Sequence, residues 1–538
     1  MLVANMELPI TSALGTLALL AIAALTVRVI HLRFLHPLRQ FPGPWLRSIS
    51  QIPTALDLLR GNQPMVMKRL HEKYALKLTM SHHVLSVGPV VRLAPNELSF
   101  IDADAWEAIF GFQRHRKRAP TLRRANCLLG VNPLNGSVGI SLAPNEIHTR
   151  QRKALAAPFT NKALLQQESI LQVHVDKFIA AMKKMATEGQ AVNLANWYTF
   201  VTFDMIGDIC FAEPFGCLDS GESTEWAASI VNIFKSAVWD QAIRRLTKTG
   251  SLLHKILLKL IAPADAARWR QVHFQNSKEK TMRRLADPDR DHPDLIKHIL
   301  DNEGSRKGLT ETEIILNMVL FISAGSETTA NLITGWTYYM LRHPAKLARA
   351  TAEVREAFAF AGGAAAAPAI RWEGVKGLAY LEATINEALR LFSPAAANQM
   401  RVVGPQGATV CGRFVPAGTT AGIAPYAAVH SARNFSHPDD FAPERWLGGD
   451  LADSRYAGDR LHASQAFSVG PRGCIGKNLS WMEMRLILAN LLWHFDLALD
   501  EETPAARAAL KKWDDFDIES YATWMKPDLW VRMQEVAR

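Results

Sequence analysis

A run of twenty consecutive residues without a charge, Leu8–Val27 (LPITSALGTLALLAIAALTV), constrains this chain more than any other feature. Hydrocarbon offers no partners for backbone N–H and C=O groups, so a lone segment of this kind has to satisfy them internally, as an α-helix. At 1.5 Å per residue the run is about 30 Å long, enough to cross a bilayer core. Arg28, His31, Arg33 and Arg39 follow it, whereas only Glu7 stands before it. The positive-inside rule then leaves the bulk of the protein in the cytosol. A cleaved signal peptide would need basic residues before the run and a small-residue cleavage site after it, and neither is present. Pro37, Pro42 and Pro44 make a stiff, non-helical exit from the membrane. The expected organisation is a membrane anchor over residues 1–30, a proline-rich hinge over 31–45 and one large domain over 46–538.

A second segment, Ser251–Pro263 (SLLHKILLKLIAP), is strongly apolar with Lys255 and Lys259 four apart. It reads equally well as a helix lying in a membrane interface or as one packed on the core. The remainder is mostly helical by pattern, for example over Lys162–Met185 and Trp226–Leu246. Two early strands, Val90–Leu93 and Glu97–Ile101, flank an Ala94-Pro95-Asn96 turn. Ala361–Pro368 and Ala286–Asp294 read as loops and not as domain linkers.

The hydrophobic share of 48% marks a globular chain. Its net charge of +10 is scattered, without a dense basic run or a nucleic-acid motif, so no nucleic-acid partner is expected. Five cysteines with no CxxC pair argue against a disulfide scaffold or a zinc ribbon. They leave room for one cysteine with a special role.

That cysteine lies in Phe467–Ser480, FSVGPRGCIGKNLS. Glycines at 470, 473 and 476 permit tight turns around Cys474, and the apolar run Leu479–Phe495 that follows should be a helix. A thiol just before a helix N-terminus meets free N–H groups and the positive end of the dipole, which favours a thiolate. A phosphate-loop reading fails, because Asn478 follows Gly476-Lys477 and Pro471 occupies a glycine position. A dinucleotide reading lacks the βαβ context, and zinc lacks neighbouring ligands. A single strong thiolate fits haem iron best.

Phe467, Gly470, Arg472, Cys474 and Gly476 match the pattern FxxGxRxCxG, and on these residues the chain resembles the cytochrome P450 haem-thiolate monooxygenases. The resemblance implies the mainly α P450 fold with small β-sheets, here behind one transmembrane helix, and makes residues 46–538 the catalytic domain. It implies haem b as cofactor, with Cys474 as axial iron ligand and Arg472 on a haem propionate. Phe467 would shield the sulfur, and backbone N–H groups after Cys474 would restrain its charge. Glu387-Ala-Leu-Arg390 followed by Pro443-Glu-Arg445-Trp resembles the family's structural triad, here Glu387, Arg390 and Arg445. His148 and Arg152 fall where members have WxxxR, with histidine in place of tryptophan, and Arg401 falls where many place another propionate-binding base.

Leu309–Arg342 reads as one long helix that starts at a Thr310/Glu313 capping box and ends before Pro344. Within it, Ala324-Gly-Ser-Glu-Thr-Thr329 is costly to helix propensity. Reductive splitting of O2 needs protons delivered through a hydroxyl fed by a carboxylic acid. The family's [AG]GxxT motif matches here, which makes Glu327 the acid and Thr328 the alcohol, with Gly325 leaving room for dioxygen. Between Tyr74 and Gly88 the chain carries thirteen residues, Ala75–Val87, that the family's usual KYGPVVR run lacks.

The implied activity is insertion of one O2-derived oxygen atom into an apolar small molecule, a secondary-metabolite intermediate in the style of fungal microsomal enzymes such as the trichothecene-hydroxylase-like clan. Desaturation, epoxidation or oxidative ring formation on the same scaffold is the alternative, and a non-catalytic haem sensor or electron carrier a distant one. Electrons would come from NADPH through a separate cytochrome P450 reductase, with cytochrome b5 as a further partner, at the endoplasmic reticulum membrane. Ala395–Ala397 are small and point to a roomy pocket.

Overall fold

The computed structural model describes residues 4–76, 90–112, 122–124, 134–289, 291–301, 308–359 and 370–536. An apolar helix covers Ala4–Ile30 and is continued by a wider turn at His31–Leu35. The stretch Gly15–Leu35 is long and apolar enough to cross a membrane, and none of it is buried against the rest of the chain. Ala75–Val87 begins inside the helix Gln63–Leu76 and otherwise lies outside the described residues, as do Ala361–Pro368 and Cys127.

The hinge is clamped to the domain. Arg92, fully buried on the strand Val90–Ala94, donates to Leu32 O at 3.2 and 3.3 Å and to Pro95 O at 2.7 Å. Its own N–H donates to Pro42 O at 2.7 Å. Gly43 is required by this approach, since a Cβ there would meet Arg92 O at 2.4 Å. Burial, and then the charge of Arg33, lower the Arg92 guanidinium to about 10.

Val90–Ala94 and Glu97–Phe100 form the expected hairpin and open a five-stranded sheet. Thr420–Ile423 joins it in parallel; Gln399–Val403 and then Leu122–Arg124 follow antiparallel. A three-stranded sheet pairs Trp530–Glu535 with both Phe495–Leu499 and Val192–Asn193. Helices supply most of the rest: Asn161–Thr187 and Glu225–Leu246 each lie within a few residues of the expected span, and Ala379–Leu391 carries Glu387 and Arg390.

The long helix covers Glu311–Arg342 and runs through the centre of the core. The capping box is formed at its start: Glu313 N donates to Thr310 Oγ1 at 3.2 Å, and Thr310 N to Glu313 Oε2 at 3.0 Å. The helix Leu194–Phe211 lies along it, tied by a 2.8 Å hydrogen bond between Tyr198 Oη and Thr337 Oγ1. Trp336 is wholly buried and donates to Thr384 Oγ1 at 2.9 Å. Satisfied polar tips of this kind let large aromatic residues fill a core without an orphaned donor.

Of the two readings of Ser251–Pro263, packing on the core fails. The helix Leu252–Ile261 buries only His254, leaving Leu252 76% and Leu260 75% exposed.

Candidate active site

The loop around Cys474 is folded by its own backbone. Cys474 N donates to Phe467 O at 2.8 Å and Gly473 N to Gly470 O at 3.0 Å. Gly470 has φ +75°, and a Cβ there would lie 1.9 Å from Phe110 O, so two independent constraints demand glycine. The helix that follows spans Lys477–His494.

Above this loop are two adjoining cavities of about 370 and 500 Å³. They share Phe321, Ala324, Gln399, Arg472, Cys474 and Ile475, so they form one slot between the long helix and the cysteine loop. Cys474 forms part of the slot's wall. Phe467, Gly476 and Ala395 line the larger part, and His148, Arg152 and Arg401 the smaller. Gly470 shapes the loop from behind.

Burial pushes the Cys474 thiol above its ordinary value, against the pull of the Gly476 and Lys477 N–H groups and the Arg152 and Lys477 cations. The N–H groups at the helix terminus pull in the direction the sequence predicts, and burial of the sulfur opposes them. A metal ion at the sulfur would deprotonate it outright.

The basic edge fits an anionic group. Arg472 Nη2 donates to Ala143 O at 2.7 Å and to Asn145 Oδ1 at 3.0 Å, whereas its Nη1 is buried with no partner. Arg152 Nη1 donates to Gly473 O at 2.8 Å. Burial lowers both guanidinium groups. Arg401 stacks over Phe110, 4.5 Å from the ring centroid, and donates to Met400 O. A slot floored by one thiol, with an orphaned guanidinium N–H at its edge, suits haem and its propionates: Cys474 would take the iron, and Arg472, Arg152, His148 and Arg401 the carboxylates.

The long helix contributes the opposite wall. Thr328 lines the slot, and its hydroxyl donates to Ala324 O at 2.6 Å. Glu327, the residue before it, lies about 100° round the helix and faces away. It is buried, accepts from Lys526 Nζ at 2.5 Å and Asn331 Nδ2 at 2.8 Å, and opens on a different cavity. Gly325 borders the slot, yet a Cβ there would strike Ile206 Cδ1 at 2.7 Å. Its missing side chain thus also admits the neighbouring helix, a role the sequence reading did not assign.

Sequence reasoning missed Glu483. It lies nine residues after Cys474 on an apolar helix, lines the slot, and accepts from Thr329 Oγ1 at 3.0 Å. Burial pushes it up to about 8 despite that hydrogen bond. A lone carboxyl on an otherwise apolar helix face was the available signal.

The triad is assembled away from the slot, and none of it is at the surface. Arg390 Nε and Nη2 donate to Glu387 at 2.9 and 2.7 Å, and Arg445 Nε donates at 3.0 Å. Trp446 Nε1 and Ala442 N add bonds of 2.8 and 2.9 Å, and Arg445 also pairs with Asp459. Burial would raise Glu387, but the two arginines hold it below its ordinary value. Arg390 also donates to three backbone carbonyls, of Val429, Pro438 and Asp440, and so ties several loops to one helix.

A protein-family model described as Cytochrome P450 matches residues 55–511. "Cytochrome P450 monooxygenase ABA2" of Pyricularia oryzae is 60% identical over 518 residues, 96% of this chain and 95% of that protein. "Cytochrome P450 monooxygenase aba2" of Botryotinia fuckeliana is 52% identical over 529 residues, covering 97% and 95%. "Averantin hydroxylase" of Dothistroma septosporum is 36% identical over 501 residues, covering 93% and 87%.

Proposed function

This chain belongs to the cytochrome P450 family of haem-thiolate monooxygenases, and we propose that it hydroxylates an apolar biosynthetic intermediate of secondary metabolism. The observation that carries this reading is Cys474 in the wall of a slot whose edge is arginine and whose opposite wall is apolar. When bound, haem supplies activation of O2, one atom entering the substrate and the other leaving as water. The chain's own residues do the rest. Cys474 holds the iron, and Arg472, Arg152, Arg401 and His148 fix the macrocycle by its carboxylates. Phe321, Ile206 and Leu332 exclude water, and Ala395 leaves space for substrate. Thr328 Oγ1 passes a proton into the slot, and Glu327 supplies it. The names of the relatives, monooxygenase and hydroxylase, support hydroxylation over desaturation or ring formation.

Electrons come from NADPH through a separate flavoprotein reductase, with cytochrome b5 as a second donor. The protein is a single-pass protein of the endoplasmic reticulum with a cytosolic catalytic domain. The clamped hinge and the exposed Leu252, Leu253, Ile256 and Leu260 face, flanked by Lys255 and Lys259, support seating of the domain against the same bilayer.

A reduced-plus-carbon-monoxide difference spectrum on microsomes, beside a Cys474→Ala control, tests the reading. A red-shifted Soret band that the control lacks is expected. A histidine-type band, or the same band in the control, would overturn the ligand assignment.

A further inference from the structure

Two carboxamide side chains line the smaller part of the slot, and neither belongs to the basic edge assigned to haem. Asn398 stands just before the strand Gln399–Val403, and Gln241 near the end of the helix Glu225–Leu246. The backbone N–H of Asn398 donates to Gln63 Oε1 at 3.3 Å, but its side-chain Oδ1 and Nδ2 are both buried with no hydrogen-bond partner. A buried polar group left unpaired is costly, and one unpaired at both ends calls for an explanation. The fold makes room for it. A Cβ on Gly422 would lie 2.8 Å from Asn398 Oδ1 and 2.3 Å from Gln399 O.

Gln241 is held over the same strand. One turn further along the same helix face, Arg245 donates to Glu97 Oε2 at 2.6 Å and to Gln51 Oε1 at 3.2 Å, and its Nη2 is 3.6 Å from Met400 Sδ. The Arg245 and Glu97 side chains are 1% and 3% exposed, so this end of the helix is pinned to the sheet. The Gln241 carboxamide makes no hydrogen bond among the described residues.

We propose that Asn398, with Gln241 beside the same cavity, binds a hydroxyl group of the substrate, so that the molecule oxidised here is an apolar skeleton carrying an alcohol function and not a bare hydrocarbon. The donor and acceptor balance decides the class. A carboxamide offers one acceptor oxygen and two N–H donors. A hydrocarbon satisfies neither, and a ketone or a carboxylate accepts from N–H but leaves Oδ1 orphaned. A hydroxyl does both, donating to one amide oxygen and accepting from one amide N–H. A site built to hydrogen-bond an OH rejects the analogue without it, because its own polar groups are then left buried and unpaired. Cys474 and Ile475 lie on the wall of the same cavity, so the span from hydroxyl to reacting carbon selects the position oxidised.

The binding role of Asn398 rests on the slot being the substrate site proposed above, and the test separates the two. Full-length holoprotein in lipid nanodiscs is titrated with three probes of one skeleton: bicyclohexyl, 4-cyclohexylcyclohexanone and 4-cyclohexylcyclohexanol. Binding is read both from the Soret shift and from the rise in Tm. Each probe is compared between wild type and variant, which cancels its partition into lipid. Asn398→Leu, close to asparagine in shape, should weaken the alcohol about tenfold, the ketone less and the hydrocarbon not at all. Gln241→Leu should show the same order. Without any probe, Asn398→Leu should raise Tm by about 1–3 °C, because the orphaned amide is gone. Equal effects on all three probes, or no alcohol binding that the variant weakens, would overturn the role. A lowered Tm in the probe-free variant would show that the amide has a partner within the protein. A lowered haem-to-protein ratio would show that it serves a haem carboxylate, and either result refutes the inference. If the carbon monoxide band fails to depend on Cys474 while the Tm readout keeps the discrimination, the monooxygenase reading fails and the hydroxyl site stands.

Discussion

Glu483→Gln should gain stability relative to the wild type as the pH rises from 4.5 to 7. Among the described residues Thr329 Oγ1 is the hydrogen-bond partner of Glu483, and burial raises the carboxyl from 4.5 to about 8. The folded state thus holds a proton that the unfolded chain gives up. Where the folded pKa lies above the unfolded one, the associated stability is whole below pH 4.5 and is lost as the pH rises towards 8. The slope in that window is about 1.4 kcal/mol per pH unit. From pH 4.5 to pH 7 the wild-type protein therefore loses about 3 kcal/mol that glutamine, of the same shape and without a charge, does not lose. At about 2.1 cal/mol/K per residue, this corresponds to a gap in Tm that widens by about 3 °C over that range. Any fixed cost of the extra amide N–H shifts both ends equally and leaves the widening intact. Paired thermal scans of holoprotein at one scan rate, at several pH values between 4.5 and 7, read it directly. A gap that stays constant with pH, or narrows, would mean that Glu483 is ionised in the folded protein and that the slot is wetter than its walls imply.

Gly470→Ala should prevent stable haem retention, because a Cβ 1.9 Å from Phe110 O at a φ of +75° cannot be relieved by a side-chain rotation; the haem-to-protein absorbance ratio after gel filtration measures it, and a wild-type ratio would refute it. Arg390→Leu leaves the Glu387 carboxylate buried without its closest partner and should cost about 3–5 kcal/mol, seen as a Tm lowered by several degrees; an unchanged Tm would show that Arg445 and Trp446 suffice.

The elements that could be read from the sequence are those whose cause is local. The Thr310/Glu313 box marks the start of the long helix because capping is decided within four residues. The cysteine loop is legible because its glycines and Cys474 sit in one short window. Contacts made across the chain were not legible in the same way. Nothing near Lys526 announces a partner 199 positions earlier, and Arg92 gives no sign that it holds the membrane hinge. The direction of Glu327 escaped for a related reason: adjacency in sequence implies divergence on a helix, and which side faces which cavity depends on distant packing. The helix terminus at Cys474 is where the sequence placed it and its N–H groups act as expected; the burial that opposes them comes from distant packing that no local motif shows.

The distance in sequence between Glu327 and the segment that grips it also sets an order of assembly. At 5–20 residues per second, residues 520–535 follow the long helix out of the ribosome by roughly 10–40 s. Throughout that interval the helix Leu194–Phe211 is already made and can pack along Glu311–Arg342, whereas Glu327 awaits Lys526. The strand Trp530–Glu535 then closes its sheet against the nearby strand Phe495–Leu499 and the much earlier Val192–Asn193. A chain that stops before Thr523 would lack Lys526 and leave Glu327 with Asn331 as its remaining described partner.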